Sequence, residues 1–275
     1  MYIDTHIHTR EYSADATLSI DDLIAYAQAN QPVILGTTEH YDYDYPDKEN
    51  QLIFDPEKYH LDFSENKMRY EERYGLPFPI LSGIECGYLE HLGSTFDSFS
   101  RLYPFDSVIC SAHYFDGFDP YFDRRVYKLG KDKVYSRYLE IIIHSLENFS
   151  DFDIVGHYDY ICRFAPYEDK RMYYKDFSPL FDRIFSLCIK GGKALELNTK
   201  TSAGFLSENM TDYLFDPAIL LRYREMGGQM VSFGSDAHTL GSVMTLFDET
   251  RKLLKDSGFT RIVYFKNRLP AYIQI

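Results

Sequence analysis

The sequence contains no long hydrophobic run: its apolar stretches are short, as at residues 33–35 and 141–143. A membrane-spanning helix needs about 20 consecutive apolar residues, so we expect none. Residues 1–6 also lack the basic region and apolar stretch of a secretory signal peptide. We therefore expect a cytoplasmic protein without a membrane anchor.

Paired cysteines are missing as well. No two of the four cysteines have a Cys-x-x-Cys spacing, so a zinc ribbon or a thioredoxin-type motif is not supported. A chain of 275 residues needs no disulfides to form a stable core, and we expect reduced thiols in a reducing compartment. The four residues are Cys86, Cys110, Cys162 and Cys188.

Positive charge is scarce: 29 Lys and Arg residues oppose 42 Asp and Glu residues, which gives a net charge of −13. This balance argues against nonspecific binding to nucleic acid or to anionic membranes, because both depend on basic residues. An anionic small substrate is still compatible with it, since a metal cluster can dominate the field inside a pocket.

Short apolar runs that lead into a polar side chain recur seven times along the chain. Stretches with helical spacing separate them, among them residues 131–149, 177–189 and 217–226, and Ser19 with Asp22 resembles a helix N-cap. This alternation predicts parallel βα units in one barrel domain over residues 1–275, with a site at the C-terminal ends of the strands. The seven runs lie at residues 2–6, 32–38, 79–84, 107–112, 153–156, 194–197 and 230–235.

Histidines concentrate at the ends of these runs. His6 and His8 follow the first run, where strand alternation places both imidazoles on one face, and Asp236 and His238 repeat the spacing at the last run. Each pair alone is a weak signal, because His is a common polar residue. Six of the nine histidines nevertheless occupy such ends, with Glu85 and Asp236 in matching positions; the six are His6, His8, His40, His113, His157 and His238.

Imidazole and carboxylate ligands suit Zn, Fe and Mn. So many candidate ligands exceed the needs of one ion, and we expect two or three divalent metal ions. A multinuclear site of this kind hydrolyses phosphate esters by lowering the pKa of a bridging water. Glu85 is the candidate bridging carboxylate.

The motifs in their order resemble the polymerase and histidinol phosphatase (PHP) family of phosphoesterases. The resemblance implies a distorted (β/α)7 TIM-like barrel with a trinuclear site. One metal would take His6, His8, Glu85 and Asp236, and a second would take Glu85, His113 and His157. The third would take His40, His238 and Asp15, with Glu39 as a rival to Asp15. The matching motifs lie at residues 4–9, 38–40, 83–85, 111–113, 155–157 and 233–238.

Within that family the chain is most similar to histidinol-phosphate phosphatases of the HisK type. The resemblance implies hydrolysis of L-histidinol phosphate in histidine biosynthesis by a metal-bridging hydroxide. Arg163 and Lys200 match basic positions of the subfamily and would bind the phosphate. Asp236 is a candidate proton shuttle as well as a ligand.

Two loops at the predicted site face could cover the substrate, at residues 41–47 and 114–125. The first combines tyrosines with carboxylates, which suit an imidazole and an ammonium group. The alternative interpretation is that both are solvated surface loops without a role in substrate binding.

Other functions are compatible with the same ligands. A PHP nuclease acting on nucleic-acid ends would use the same metals, although the acidic charge disfavours it. A non-catalytic metal-binding module and a metal amidohydrolase are further alternatives. The amidohydrolase barrels commonly use a carboxylated lysine as the bridge, the place that Glu85 takes here.

Overall fold

A single parallel sheet of seven strands organises the computed structural model, which describes residues 1–46, 48, 51–114, 116–210 and 214–275. The strands pair in chain order, each with the next. They are β1 (Tyr2–Ile7), β2 (Val33–Tyr41), β3 (Ile80–Gly87), β4 (Ser107–Ser111), β5 (Ile154–Val155), β6 (Ala194–Asn198) and β7 (Val231–Gly234).

Helices connect successive strands and cover the sheet. The predicted helices at 131–149, 177–189 and 217–226 are confirmed, and Ser19 and Asp22 form the capping box that begins the first helix. The helices are α1 (Ile20–Ala29), α2 (Pro56–Tyr74), α3 (Gly93–Leu102), α4 (Lys131–Asn148), α5 (Tyr174–Gly191), α6 (Thr199–Ser207), α7 (Pro217–Glu225) and α8 (Phe247–Asp256).

The first and last strands meet, so the sheet curls into a nearly closed barrel. The His8 amide donates to the Ala237 carbonyl at 2.9 Å, and the Thr5 hydroxyl donates to the Phe233 carbonyl at 2.8 Å. In the described part of the chain a single bridge, Ile7 to Ala237, takes the place of a regular ladder between β1 and β7. The predicted distorted (β/α)7 barrel is confirmed.

A C-terminal hairpin of β8 (Arg261–Lys266) and β9 (Leu269–Gln274) packs beside the barrel strands. Val263 and Phe265 of β8 form a buried cluster with apolar residues of β4, β5 and β6. The seven-run pattern did not predict this hairpin. Its two-residue turn, Asn267-Arg268, has positive φ angles without the Asn-Gly signature that marks such turns in a sequence.

None of the helices in the described residues combines the length and apolar character that crossing a bilayer requires.

Candidate metal centre

The nine predicted metal ligands converge at the C-terminal ends of the barrel strands. The parallel register sets His40 of β2 beside Glu85 of β3, and the barrel closure brings the end of β1 to the segment after β7. His6, His8 and Glu85 are fully buried. The structure arranges the nine residues in three groups, each built around two imidazoles.

The first group joins His6 and His8, whose Nε2 atoms lie 3.1 Å apart. Glu85 Oε2 lies 3.4 Å from His6 Nε2 and 3.6 Å from His8 Nε2. Asp236 Oδ1 lies 3.4 Å from His8 Nε2. Two imidazoles and two carboxylates thus point at one small volume.

The second group joins His113 and His157, whose Nε2 atoms lie 3.3 Å apart. Glu85 Oε1 lies 3.2 Å from His113 Nε2 and 2.8 Å from His157 Nε2. Glu85 Oε1 therefore faces the second group, while Oε2 faces the first group and also lies 2.9 Å from His40 Nδ1. A carboxylate in this central position suits a bridging role.

The third group joins His40 and His238, with 3.4 Å between their Nε2 atoms. Asp15 Oδ2 lies 3.0 Å from His238 Nε2 and 3.6 Å from His40 Nε2. The Asp15 side chain is 43% exposed, so this group opens to solvent more than the other two.

Carboxylates outside the nine residues hold the Nδ1 atoms of two of these imidazoles. Glu196 Oε1 accepts from His6 Nδ1 at 2.7 Å, and Asp42 Oδ1 accepts from His113 Nδ1 at 3.1 Å. His238 Nδ1 lies 3.0 Å from both the Asp236 carbonyl and Lys200 Nζ. A proton on Nδ1 leaves a lone pair on Nε2, the form in which imidazole binds metal.

Glu39 hydrogen-bonds to the loop after β1 and belongs to none of the three imidazole groups. Its carboxylate accepts from the Thr9 amide, the Thr9 hydroxyl and the Ser13 hydroxyl, at 3.0, 2.7 and 2.7 Å. The Ser13 hydroxyl in turn lies 3.4 Å from His8 Nδ1. Burial raises the pKa of Glu39 to about 7. Glu39, the alternative to Asp15 in the third ligand set, is thus turned toward the loop, while Asp15 faces His40 and His238.

The donor set fits divalent cations. Nε2 lone pairs meet in pairs at 3.1 to 3.4 Å, and the buried Glu85 Oε2 lies 2.9 Å from His40 Nδ1 and 3.4 Å from His6 Nε2. Facing lone pairs repel and a buried carboxylate charge is costly, unless cations lie between them. Nitrogen and oxygen ligands without thiolate suit Zn, Fe or Mn.

Asp236 connects the imidazoles to two cations of the chain. Arg163 Nη1 lies 2.9 Å from Asp236 Oδ2, and Lys200 Nζ lies 3.0 Å from Asp236 Oδ1. Burial opposes ionisation, yet the charges of Lys200 and Arg163 hold the pKa of Asp236 well below its usual range. Its backbone has a φ of +52°, an uncommon conformation that Asp tolerates better than most residues.

Arg163 is fixed in place by its neighbours. Its Nε donates to the Thr201 hydroxyl and its Nη2 to the Asn198 side-chain oxygen, both at 2.9 Å. The guanidinium lies 5.1 Å from the centre of the Tyr160 ring. Arg163 and Lys200, both predicted from the sequence, therefore stand together beside the imidazole groups.

A cavity of about 590 Å³ opens onto this centre. His40, His113, Asp236 and His238 line one side of it, with Arg163 and Lys200. The two predicted covering loops supply Tyr45 from residues 41–47 and Tyr121 and Phe122 from residues 114–125. Asp47 and Phe115 of these loops lie outside the described residues.

Sequence reasoning did not single out Glu196 or Asp42. Glu196 is fully buried in β6 and follows Leu195, so a charged residue inside an apolar strand was the available signal. Asp42 had no such signal, because its contact with His113 depends on the path of the loop after β2.

Comparison with known proteins agrees with this geometry. The family model of the PHP domain matches residues 4–200. The chain belongs to the PHP domain family. It is 31% identical over 275 residues to a protein of Clostridium acetobutylicum named "Probable histidinol-phosphatase", covering 99% of this chain and all of that protein. It is 25% identical to the "Histidinol-phosphatase" of Lactococcus lactis subsp. lactis, over 96% of this chain and 94% of that one.

The fold of this PHP protein also matches a solved structure. Histidinol phosphate phosphatase from Lactococcus lactis subsp. lactis, determined with Zn, L-histidinol and phosphate, superimposes with a TM-score of 0.83. The match covers 98% of this chain and 100% of that chain at 24% identity. At this identity the likeness concerns the fold.

Proposed function

We propose that this PHP protein is a metal-dependent phosphomonoesterase that hydrolyses L-histidinol phosphate to L-histidinol and phosphate. One observation carries the proposal: members of all three imidazole groups line a cavity together with Arg163 and Lys200. This arrangement suits a small phosphate ester. The names of the relatives point to histidinol phosphate as that ester.

The proposed ligand sets follow the three groups. His6, His8, Glu85 and Asp236 hold one divalent cation, and Glu85, His113 and His157 hold a second. Asp15, His40 and His238 hold a third. Zn, Fe and Mn are the proposed metals. When bound, such ions lower the pKa of coordinated water and neutralise charge on the phosphoryl oxygens.

Side chains of the protein bind and orient the phosphate in this proposal. Arg163 and Lys200 bind phosphoryl oxygens and stabilise the charge that grows on them in the transition state. Arg163 is already oriented by Thr201 and Asn198, so its donors need little rearrangement. Asp236 pairs with both Arg163 and Lys200, which keep its carboxylate ionised and hold it beside the imidazoles.

We further propose that residues 1–275 act as one barrel domain on a small molecule, without nucleic acid or membrane as a partner. The four cysteines are buried and free, which fits the reducing conditions of the cytoplasm.

Phosphate release from a panel of esters tests this function. The panel contains L-histidinol phosphate, other amino-alcohol and sugar phosphates, a phosphodiester and single-stranded DNA. We expect kcat/KM for histidinol phosphate to exceed the others by about 100-fold, or about 2.7 kcal/mol of transition-state discrimination. Similar rates on every ester would contradict the substrate assignment, and faster cleavage of DNA would favour a nuclease.

Matched variants link the activity to the metal centre. Glu85→Gln removes the proposed bridging charge and should abolish turnover while the barrel remains folded. Glu90→Gln is the control, because that side chain lies nearby in sequence, is 52% exposed and pairs with Arg137 on the surface. Full turnover in a folded Glu85→Gln enzyme would contradict the proposed bridge.

A further inference from the structure

The cavity holds a buried carboxylate that the hydrolytic mechanism does not use. Asp119 is 8% exposed and belongs to the loop after β4. It accepts hydrogen bonds from the Tyr45 hydroxyl, the Tyr160 hydroxyl at 3.1 Å and the Tyr121 amide at 2.8 Å. Three donors from separate positions thus aim at this one side chain.

All three of these donors are uncharged. Among the described residues, the hydrogen-bond donors to Asp119 are these two tyrosine hydroxyls and one amide, and no Lys, Arg or His side chain forms an ion pair with it. Burial raises the pKa of the Asp119 carboxyl, and the hydrogen bonds and the charge of His113 counteract this only in part. A buried charge without a partner of opposite sign is destabilising, so its presence in a ligand cavity points to a cationic ligand.

The position of Asp119 relative to the metal centre is set by Tyr160. The Tyr160 ring centre lies 5.2 Å from that of His113 and 5.1 Å from that of His157, while its hydroxyl reaches Asp119. One tyrosine side chain therefore separates the carboxylate from the second imidazole group. A molecule with a phosphate at one end and a cation at the other would reach both places by extending along the Tyr160 side chain.

The surroundings of Asp119 suit an organic cation. Tyr45, Tyr121, Phe122 and Tyr160 line the same cavity, and aromatic faces attract ammonium groups. Arg163 and Lys200 line the same cavity, and both contact Asp236 beside the imidazole groups. The cavity thus combines cations next to the proposed metal ligands with one carboxylate, Asp119, among aromatic rings.

We propose that Asp119, braced by Tyr45 and Tyr160, binds the ammonium group of the leaving alcohol and determines specificity for cationic phosphate esters. This inference rests on the proposed function and deepens it. The ion pair forms in a cavity lined by rings, where it is screened less than on the surface. An ester without a positive charge leaves the Asp119 carboxylate buried and uncompensated.

Substrate charge is the variable in the test. Asp119→Asn is compared with wild type on L-histidinol phosphate, on its N-acetylated derivative and on phenyl phosphate. We expect the variant to lower kcat/KM on histidinol phosphate about 30-fold. On the N-acetylated ester and phenyl phosphate, which have no ammonium group, the change should stay within about threefold, which is near the scatter of surface substitutions.

Asp123→Asn is the control, since it removes a carboxylate from the same loop that pairs locally with Arg125. It should change none of the three rates. Tyr45→Phe is a second probe in case Asp119→Asn folds poorly: it keeps the ring, removes one donor to Asp119 and should reduce the preference for histidinol phosphate in the same direction.

Equal losses on all three esters would overturn the inference, because Asp119 would then support the site as a whole. A loss that persists on the N-acetylated ester but disappears on phenyl phosphate would assign Asp119 to the imidazole and would also overturn it. A wild-type enzyme that hydrolyses phenyl phosphate as well as histidinol phosphate would contradict both this inference and the proposed substrate.

Discussion

Individual side chains beyond the nine proposed ligands set the geometry of the centre. Glu196 is the strongest example: Oε1 accepts from His6 Nδ1 at 2.7 Å, and Oε2 accepts from the His157 amide at 2.8 Å. One carboxylate in β6 thus positions ligands of two different groups. Hydrogen bonds of this kind fix the tautomer of a ligating imidazole and increase its basicity.

Substituting Glu196 with Gln tests this role. The amide keeps the size of the side chain but removes the charge that holds the Nδ1 proton of His6. We expect metal affinity or turnover to fall about 10- to 100-fold. Titration against a chelating dye and steady-state kinetics measure the two effects, with thermal unfolding to verify the fold.

Glu225→Gln is the corresponding control, since its carboxylate is 67% exposed and pairs with Arg222 on the surface. Unchanged metal affinity and unchanged kcat in Glu196→Gln would show that His6 is oriented by other contacts.

The convergence of the proposed ligands could be predicted from the sequence, but the positions of the supporting carboxylates could not. His6, His8 and Glu85 stand at the ends of apolar strands, and parallel strands bring their C-terminal ends to one edge. Contacts such as Glu196 with His6 join residues 190 positions apart. They depend on which strands become neighbours when the barrel closes. Local sequence patterns do not specify that pairing.

At the scale of elements, close approaches at strand ends hold the supporting groups. Gly87 ends β3, and a Cβ at this position would lie 1.9 Å from Asp42 Oδ1. Asp42 can therefore reach His113 only because residue 87 has no side chain. The end of β3 and the loop after β2 therefore pack closely against each other beside the second imidazole group.

Gly87→Ala is expected to displace Asp42 and to release His113 Nδ1. Overpacking of this kind costs about 1–3 kcal/mol of stability. We expect turnover to fall about 10-fold or more because His113 loses its acceptor. Calorimetry and kinetics report the two effects separately.

Gly241→Ala provides the control, because a Cβ at residue 241 meets nothing within 4 Å. A Gly87→Ala enzyme with wild-type turnover and metal affinity would mean that the Asp42 contact with His113 is dispensable.

Elements with a strong apolar period were predicted, and others were not. The seven barrel strands and helices α4, α5 and α7 each have a regular buried face. In α2, only Tyr59 and Tyr70 of its 19 residues are buried, so its sequence gives little periodicity. The C-terminal hairpin escaped prediction because its turn has unusual residues for its backbone conformation.

At the scale of the whole molecule, the proposed metal centre would couple metal binding to the stability of the fold. Buried Glu85 and Asp236 carry negative charge at the core of the barrel, and the proposed cations would compensate it. A ligand that binds only the folded state stabilises it, by about 2.7 kcal/mol at 100 times its Kd. Removal of the metals should therefore weaken the entire barrel.

Chelation tests this coupling. We expect extraction of the metals to lower Tm by about 5–10 °C and to abolish turnover, since about 1 kcal/mol corresponds to 2–4 °C in chains of this size. Restoring Zn, Mn or Fe singly should recover both properties, and calorimetry with metal analysis follows them. The Glu85→Gln protein should respond less; a Tm that does not change after complete metal removal would show that folding and metal binding are independent.

Closure of the barrel between β1 and β7 has a consequence for the order of assembly. Thr5 and Phe233, which hydrogen-bond at this seam, are 228 residues apart in the chain. During synthesis, His6 and His8 leave the ribosome long before Asp236 and His238 exist, and contacts of such separation form late. The first imidazole group is therefore complete only after residue 236 has been made, and a product truncated before it retains unpaired imidazoles. Capture of metal at this proposed site would report that the polypeptide has been made and closed through its seventh strand.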